Sequence, residues 1–429
     1  MGPPVNAEVR VVRPLAAPPD VVVTVPGSKS LTNRALVAAA LASGPTTLIG
    51  ALFSDDTEAM LTALATLGLT VSVDGPAQSI RVDGWDGQVP PGPASLDVRQ
   101  AGTAARFLPP LLSLGRGPYI VDGSDQMRAR PMAGMVAALR QLGLDVQGTG
   151  SDRGLPLELR GGPVAGGTVR LSASTTSQFL SGLLLSAPYY RRGLVLEADG
   201  EPVSRPYLDM TTATMAAFGI DVVRDGYRRF EVRPGQRYRG RVHAIEPDAT
   251  AASYFFAAAA VAGGRVRVEG IGRSSVQGDI GFVDVLERMG AEVVRGDTFT
   301  EVTARPLQGI EVDMADISDT APTLAVVATF ASTPTRMTGI GFIRRKETDR
   351  IASVVAELRR CGIVAEELDD GLVVHPGIPR ATVVETYDDH RMAMAFSLLG
   401  LTWDGIAVSD PGCVAKTFPD FFATLDRLR

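Results

Sequence analysis

Polar and apolar positions along this chain repeat on a long period. The run Ala35 to Ala42 is small or apolar at every position and follows the polar stretch Pro26-Gly27-Ser28-Lys29-Ser30-Leu31-Thr32-Asn33-Arg34. That pattern predicts a helix with no polar face, buried on all sides. Ser30 or Thr32 is the expected cap and Gly44 the expected stop. Upstream, Val21 to Val25 reads as a strand ended by Pro26 and Gly27. The same switch from polar to apolar recurs at Thr103, Thr176, Thr250, Asp319 and Asp389, with successive spacings from Ser30 of 73, 73, 74, 69 and 70. Every one of these starts is a helix-capping residue type.

A second series runs in phase with the first. Amphipathic stretches end at Gly68, Gly143, Gly219, Gly290 and Gly362, spaced by 75, 76, 71 and 72, as helices closed by glycine do. A sixth such helix is expected at Leu425 to Arg429. The two series together predict six copies of one unit: buried helix, strand, amphipathic helix, strand. A period this long marks repeated supersecondary units rather than a short-repeat solenoid. Units one to three are expected from about Val21 to Gly235, with a crossover near Val242 to Asp248. Two similar α/β domains follow, 26–243 and 1–25 plus 244–429, with a cleft between them.

Composition narrows the function. The chain has 429 residues, 45% of them apolar, and a net charge of −6. It is long enough for two full cores, and its acidic balance argues against a general nucleic-acid binder. Two cysteines, Cys361 and Cys413, and three histidines give neither a disulfide framework nor a metal-binding motif. Met1 to Asn6 has no signal-peptide core, and no apolar run is long enough to span a bilayer. A soluble cytoplasmic protein with no metal, no cofactor and no membrane or nucleic-acid partner is therefore expected; its oligomeric state is expected to be monomeric.

Charge gathers at helix starts. Lys29, Ser30 and Arg34 open the first buried helix, where exposed N–H groups already favour an anion. Arg106, Gln178, Asp319, His390 and Arg391 lie at later buried starts. Asp55-Asp56, Arg130, Arg205, Lys346-Glu347-Thr348-Asp349-Arg350 and Lys416 lie at second-helix starts. Singly, each has a bland account: Asp55-Asp56 as a cap, Lys346 and Arg350 as a surface pair around Glu347, His390 as a satisfied core residue. At matching points of a repeat they point to a site for polyanions, because arginine forks match phosphate and carboxylate.

The motifs Pro26-Gly27-Ser28-Lys29-Ser30-x-x-Asn33-Arg34, Ala101-Gly102-Thr103-Ala104-Ala105-Arg106, Thr176-Ser177-Gln178-Phe179, Lys346-Glu347-Thr348-Asp349-Arg350, Asp388-Asp389-His390-Arg391-Met392 and Asp410-Pro411-x-Cys413-x-Ala415-Lys416-Thr417-Phe418-Pro419 resemble the 5-enolpyruvylshikimate-3-phosphate synthase family, in order and over nearly the whole chain. The resemblance implies two domains, each of three βαβαββ units, with the active site in the interdomain cleft. It implies transfer of the enolpyruvyl group of phosphoenolpyruvate to the 5-hydroxyl of shikimate 3-phosphate, in aromatic amino acid biosynthesis. By similarity Ser30, Arg34, Thr176, Ser177, Ser204, Tyr207, Asp319 and Lys346 would hold shikimate 3-phosphate, with Gln178 between the two substrates. Lys29, Gly102, Arg130, Arg350, Arg391 and Lys416 would surround phosphoenolpyruvate, the site that the family's inhibitor glyphosate occupies. Asp319 would take the hydroxyl proton and Glu347 would protonate the methylene carbon; Lys29 and Lys416 are further acid–base candidates. Gln100, Thr176 and Phe342 depart from the usual Asn, Ser and Asn. The alternative is the sister transferase acting on UDP-N-acetylglucosamine, whose reactive cysteine has no counterpart between Gly115 and Met127. A non-catalytic anion binder of the same fold would lack the carboxylates Asp319 and Glu347.

Overall fold

The structure, a computed structural model, describes residues 8–150, 154–172 and 176–429. The expectation about a targeting segment at Met1 to Asn6 falls outside these residues. The chain divides into two compact units, Gly27–Glu246 and the segment up to Pro26 together with Pro247–Arg429.

The unit Gly27–Glu246 carries helices α1 (Lys29–Leu41), α2 (Asp55–Thr66), α3 (Gly102–Leu112), α4 (Asp125–Arg128), α5 (Ala133–Gln141), α6 (Ser177–Ser186) and α7 (Pro206–Ala217). The apolar runs behave as their pattern dictates. Every residue of α1 from Leu31 onward, and every residue of α3, is buried. Helices α1, α3 and α6 pack on one another. The second helices bury one stripe only, as α5 does with Met135, Val136, Ala138 and Leu139. The expected glycine stops hold: Gly68, Gly143, Gly219, Gly290 and Gly362 all have φ between +82° and +117°, the left-handed conformation in which a helix C-terminus is closed without a Cβ penalty.

Three four-stranded sheets surround these helices, and each has one parallel pair followed by two antiparallel pairs. In the second, Ala94–Asp97 runs parallel to Tyr119–Asp122, and Leu157–Arg160 and Asp145–Gly148 complete it. The first sheet takes its leading strand from the far end of the unit: Val242–Ala244 pairs in parallel with Pro45–Ile49.

The other unit repeats the scheme with α8 (Ala249–Ala262), α9 (Phe282–Met289), α10 (Ala321–Ala328), α11 (Arg350–Arg360), α12 (His390–Ser397) and α13 (Phe421–Asp426). Its first sheet corrects one expectation. The strand upstream of α1, Asp20–Val23, does not open the first repeat; it pairs in parallel with Arg265–Glu269 in the fourth. Its last sheet has three strands, with Val9–Val11 antiparallel to Ile406–Ser409 in place of a closing hairpin. The first five repeats are therefore strand, helix, strand, helix and hairpin, richer by strands than the sequence pattern alone indicated, and the sixth lacks the hairpin.

Helix α3 carries Pro109 and Pro110 in its interior, so it lacks two internal N–H donors. The carbonyl of Arg106 faces Gly182 of α6, where a Cβ would sit 2.4 Å from that oxygen. Gly182 is what lets the two buried helices touch. Gly182→Ala should cost about 1–3 kcal/mol, since backbone on both sides must separate. A denaturant titration showing wild-type stability would refute this packing account.

Candidate functional site

In the unit Gly27–Glu246, the turn at Gly27 and Ser28 feeds directly into α1. The cap is Ser28, whose Oγ accepts from Leu31 N at 3.4 Å, not Ser30 or Thr32 as expected. The same two-residue displacement occurs at α8, capped by Asp248 rather than started by Thr250. At α3 the cap position is Ala101, with no side-chain bond. At Asp319 a 3-10 turn, Ser318–Thr320, precedes the helix proper. Thr176 and Asp389 do cap their helices, accepting from Gln178 N and Arg391 N.

Capping by Ser28 makes Lys29 the first helical residue. Its Nζ lies 2.9 Å from Asp56 Oδ2, and both groups are largely buried. Asp56 is therefore an ion-pair partner and not the cap expected of it; that turn is closed by Thr57 Oγ1 accepting from Ser54 N at 2.9 Å.

Arg34 is fully buried. Its Nε donates to Thr211 Oγ1 at 2.8 Å, Nη1 to the Ser30 carbonyl at 2.9 Å, and Nη2 to the Tyr207 carbonyl at 3.0 Å and Ser181 Oγ at 3.4 Å. The guanidinium also stacks over Phe107 and Tyr207. Burial draws its pKa down to about 10, so it is still cationic at neutral pH. Asn33 Nδ2 donates to Thr103 Oγ1 at 2.6 Å, which ties α1 to α3.

These contacts bring together the starts of α1, α3 and α7 and the second turn of α6. Ser177 is buried in the first turn of α6 beside the cap Thr176. Ser204 precedes α7 with φ +53°, a costly conformation for serine. Gly102 lies against Arg130, whose Nη1 would be 2.9 Å from a Cβ placed there. Arg106 turns away from solvent and donates to the Pro131 carbonyl at 3.0 Å, so its role is to fix the turn that carries Arg130.

The second cluster belongs wholly to the other unit and is built on Arg350, 2% exposed. Its Nε meets Asp389 Oδ2 at 2.8 Å, Nη1 meets Asp319 Oδ1 at 3.0 Å, and Nη2 meets Glu347 Oε2 at 2.6 Å. Arg391 Nη2 reaches Asp319 Oδ2 at 2.7 Å. Lys346 Nζ is 4.0 Å from Asp319, and Lys416 Nζ is 4.0 Å from Glu347. Six predicted residues, Asp319, Lys346, Glu347, Arg350, Arg391 and Lys416, thus share one network. Lys346 and Arg350 are not a surface pair. The loop before α11 is fixed from behind, where Arg344 Nη1 grips Asp349, the α11 cap, and Glu367 at 2.7 Å. Phe342 is half-buried in the turn Gly341–Arg345 and packs on the core.

Electrostatics divide the carboxylates. Burial alone would raise the Asp319 carboxyl, but Arg391, Lys346 and Arg350 outweigh it and hold the group well below the usual carboxylate range. Asp279, which takes the Thr250 hydroxyl on Oδ2, goes the other way. Burial, then the charge of Asp319, push it up to about 7. The motif reading missed Asp279, yet the repeat could have found it. It stands just before α9, one period beyond Arg205, at the one second-helix start where no polar residue had been singled out.

The two groups impose opposite pH dependences. Asp319, depressed, contributes stability above the unfolded carboxylate value that is lost as pH falls. Asp279, raised, keeps its proton in the folded state where the unfolded chain has released it, so its contribution is lost as pH rises from about 4 through 7. Asp279→Asn should flatten that decline. Denaturant midpoints at pH 5 and 8 measure it, and an equal drop in both proteins would mean that Asp279 is ionised throughout.

Residues 18–425 match the family model described as EPSP synthase (3-phosphoshikimate 1-carboxyvinyltransferase). A protein of Trichormus variabilis named 3-phosphoshikimate 1-carboxyvinyltransferase is 47% identical over 409 residues, covering 95% of this chain and 96% of that protein. One of the same name from Shewanella amazonensis is 44% identical over 405 residues, 94% of each. The solved EPSP synthase of Acinetobacter baumannii aligns with a TM-score of 0.84 at 26% identity over 98% of both chains. The enolpyruvyl transferase NikO of Streptomyces tendae aligns with a TM-score of 0.74 at 17% identity, over 98% of this chain and 97% of that one, a likeness of fold alone.

Proposed function

We infer the reaction from one premise: this chain belongs to the EPSP synthase (3-phosphoshikimate 1-carboxyvinyltransferase) family. It is a transferase of aromatic biosynthesis that moves the carboxyvinyl group of phosphoenolpyruvate to the 5-hydroxyl of shikimate 3-phosphate. The hydroxyl oxygen adds to C2 while a proton goes to C3, giving a tetrahedral intermediate. Loss of a C3 proton then expels phosphate and restores the double bond. The observation that carries this reading is the pair of carboxylates, Asp319 and Glu347, held by buried cations in one network.

In this reading shikimate 3-phosphate is held by Ser30, Arg34, Thr176, Ser177, Ser204, Tyr207 and Lys346. Phosphoenolpyruvate is held by Lys29, Gly102, Arg130, Arg350, Arg391 and Lys416, and Gln178 lies between the two. Arg34 supports the first assignment because no carboxylate among the described residues lies within ion-pair distance of it, and one Nη1 hydrogen remains uncommitted. Arg350 acts mainly by organising the acids, since four of its five N–H donors are already engaged.

Asp319 is a weak base while Arg391 and Arg350 hold it. A substrate anion that engages Arg391 withdraws one of those partners, so the carboxylate becomes more basic when substrate is present. Glu347 delivers the proton to C3, and Lys416 beside it stabilises the departing phosphate. No helix among the described residues is long and apolar enough to cross a membrane.

The direct test is release of inorganic phosphate from phosphoenolpyruvate with shikimate 3-phosphate or with UDP-N-acetylglucosamine as acceptor. Turnover is expected only with the first, and turnover with the aminosugar nucleotide alone would overturn the assignment.

Gly102→Ala gives a finer test. Gly102 is not in a left-handed conformation, so alanine is allowed, and the added methyl meets the guanidinium of Arg130. Overpacking of this kind costs about 1–3 kcal/mol, or roughly ten- to hundredfold in affinity. Glyphosate, longer than phosphoenolpyruvate, should lose more than the substrate does, with little change in melting temperature. An unchanged ratio of glyphosate inhibition constant to substrate KM would remove Gly102 from the pocket.

A further inference from the structure

We propose that Glu357 and the hydroxyl of Tyr387 form a clamp that positions the Asp389–His390–Arg391 start of α12, and through it the phosphoenolpyruvate end of the site. The proposal rests on the functional reading above for its kinetic consequences and on geometry alone for the clamp.

Glu357 lies on α11 with no exposed surface. Its carboxylate takes four hydrogen bonds. Arg360 Nη1 donates to Oε1 at 2.9 Å and to Oε2 at 2.7 Å. The Glu385 amide donates to Oε2 at 2.9 Å, and the Tyr387 hydroxyl donates to Oε1 at 2.8 Å. Two of the four therefore come from residues 385–387, the link between the strand Thr382–Val384 and α12. A helical Glu–Arg pair three residues apart is ordinary surface chemistry and needs neither burial nor donors from a distant segment. Here the carboxylate has been buried to receive that segment, at a cost that only full hydrogen bonding offsets.

The link needs holding. Tyr387 and Asp388 have φ +56° and +55°, a conformation that non-glycine residues avoid and that persists only where the surroundings over-determine it. Ser409 supplies a second tie, its Oγ accepting from Thr386 N at 3.4 Å and donating to Glu385 Oε1 at 3.3 Å. Immediately after the corner, Asp389 caps α12 by accepting from Arg391 N at 2.9 Å while its other oxygen takes Arg350 Nε at 2.8 Å. Rotation at Tyr387 or Asp388 would swing Asp389 off Arg350 and carry Arg391 with it, away from Asp319. Glu357 touches none of the reacting groups; it is a positioning residue.

The experiment uses the full chain with Tyr387→Phe, Glu357→Gln and both together. Phosphate-release kinetics, melting temperature and amide exchange at Asp389 to Met392 are measured on each. Tyr387→Phe removes one hydroxyl, so it should fold with a nearly unchanged melting temperature. It is expected to raise KM for phosphoenolpyruvate about three- to tenfold, with KM for shikimate 3-phosphate changed less than about twofold. Glu357→Gln should act in the same direction and more strongly. The double variant should fall short of the sum of the two, because each substitution weakens the same Tyr387–Glu357 contact. Amide exchange at Asp389 to Met392 should rise about tenfold or more in Tyr387→Phe without any substrate present. A purely structural role would lower the melting temperature and leave KM, kcat and exchange at α12 as in wild type, and that result overturns the proposal. So does additivity of the two substitutions. If Glu357→Gln does not fold, Tyr387→Phe decides alone. Wild-type protein that releases no phosphate would count against the functional reading, while amide exchange would still decide the clamp.

Discussion

The Arg350 guanidinium is the interaction on which the unit containing Pro247–Arg429 depends. It is buried, and it holds carboxylates from three different places in the chain: Asp319 before α10, Glu347 in the loop before α11 and Asp389 at the cap of α12. A buried ion pair adds little net stability, because desolvation consumes most of the Coulomb attraction. Breaking one is another matter: removal of a single partner typically costs about 3–5 kcal/mol, since the charge left behind stays buried. Here one cation would strand several acids at once. The arrangement therefore serves geometry more than stability, forcing three independent elements into one fixed relation.

The two units balance their charges differently. In the unit built on Arg350, the cations that would meet substrate already have internal counter-charges: Arg391 and Lys346 face Asp319, and Lys416 faces Glu347. In the reading proposed above, an incoming anion would exchange with a carboxylate rather than fill a void, so its binding would be linked to the protonation of Asp319. In the other unit Arg34 is satisfied by hydroxyls, carbonyls and aromatic faces instead. These acceptors and π faces are neutral, so none of them cancels the positive charge. Lys29, paired with Asp56, follows the exchange pattern.

The periodicity of the sequence carried much of the fold. Buried helices announce themselves by lacking a polar face, and glycine stops by the left-handed backbone that only glycine adopts cheaply. Family resemblance on the helix-start motifs supplied the cations. What stayed illegible was whatever depends on distant partners. Strands Asp20–Val23 and Val242–Ala244 are both short; which sheet each joins is a tertiary choice that no local pattern encodes. Caps slipped by two residues at α1 and α8 because several capping residues stand in a row and only the turn geometry selects among them. The carboxylate partners were hidden for the same reason. Asp56 is locally indistinguishable from a cap, Asp279 belongs to no motif, and Glu357 reads as half of an ordinary helical pair.

Backbone strain marks the same places. Among the described residues, seven non-glycine positions have left-handed φ: Gln78, Asp86, Arg99, Ser204, Tyr387, Asp388 and Asp410. Arg99 stands three residues before Gly102, Ser204 just before α7, Tyr387 and Asp388 just before α12, and Asp410 at the turn that ends on Lys416. Each such residue costs of order 1–3 kcal/mol, a large sum beside the usual net stability of a domain, about 5–15 kcal/mol. The following elements, above all α12 with every residue buried, can offset that cost by burial. Glycine at these corners would relieve the strain, but it would also widen the range of conformations open to the chain. A hydrogen-bonded side chain in a strained corner, as at Tyr387, trades stability for direction: the helix that follows has one entry angle, and the charged groups in its first turn inherit it.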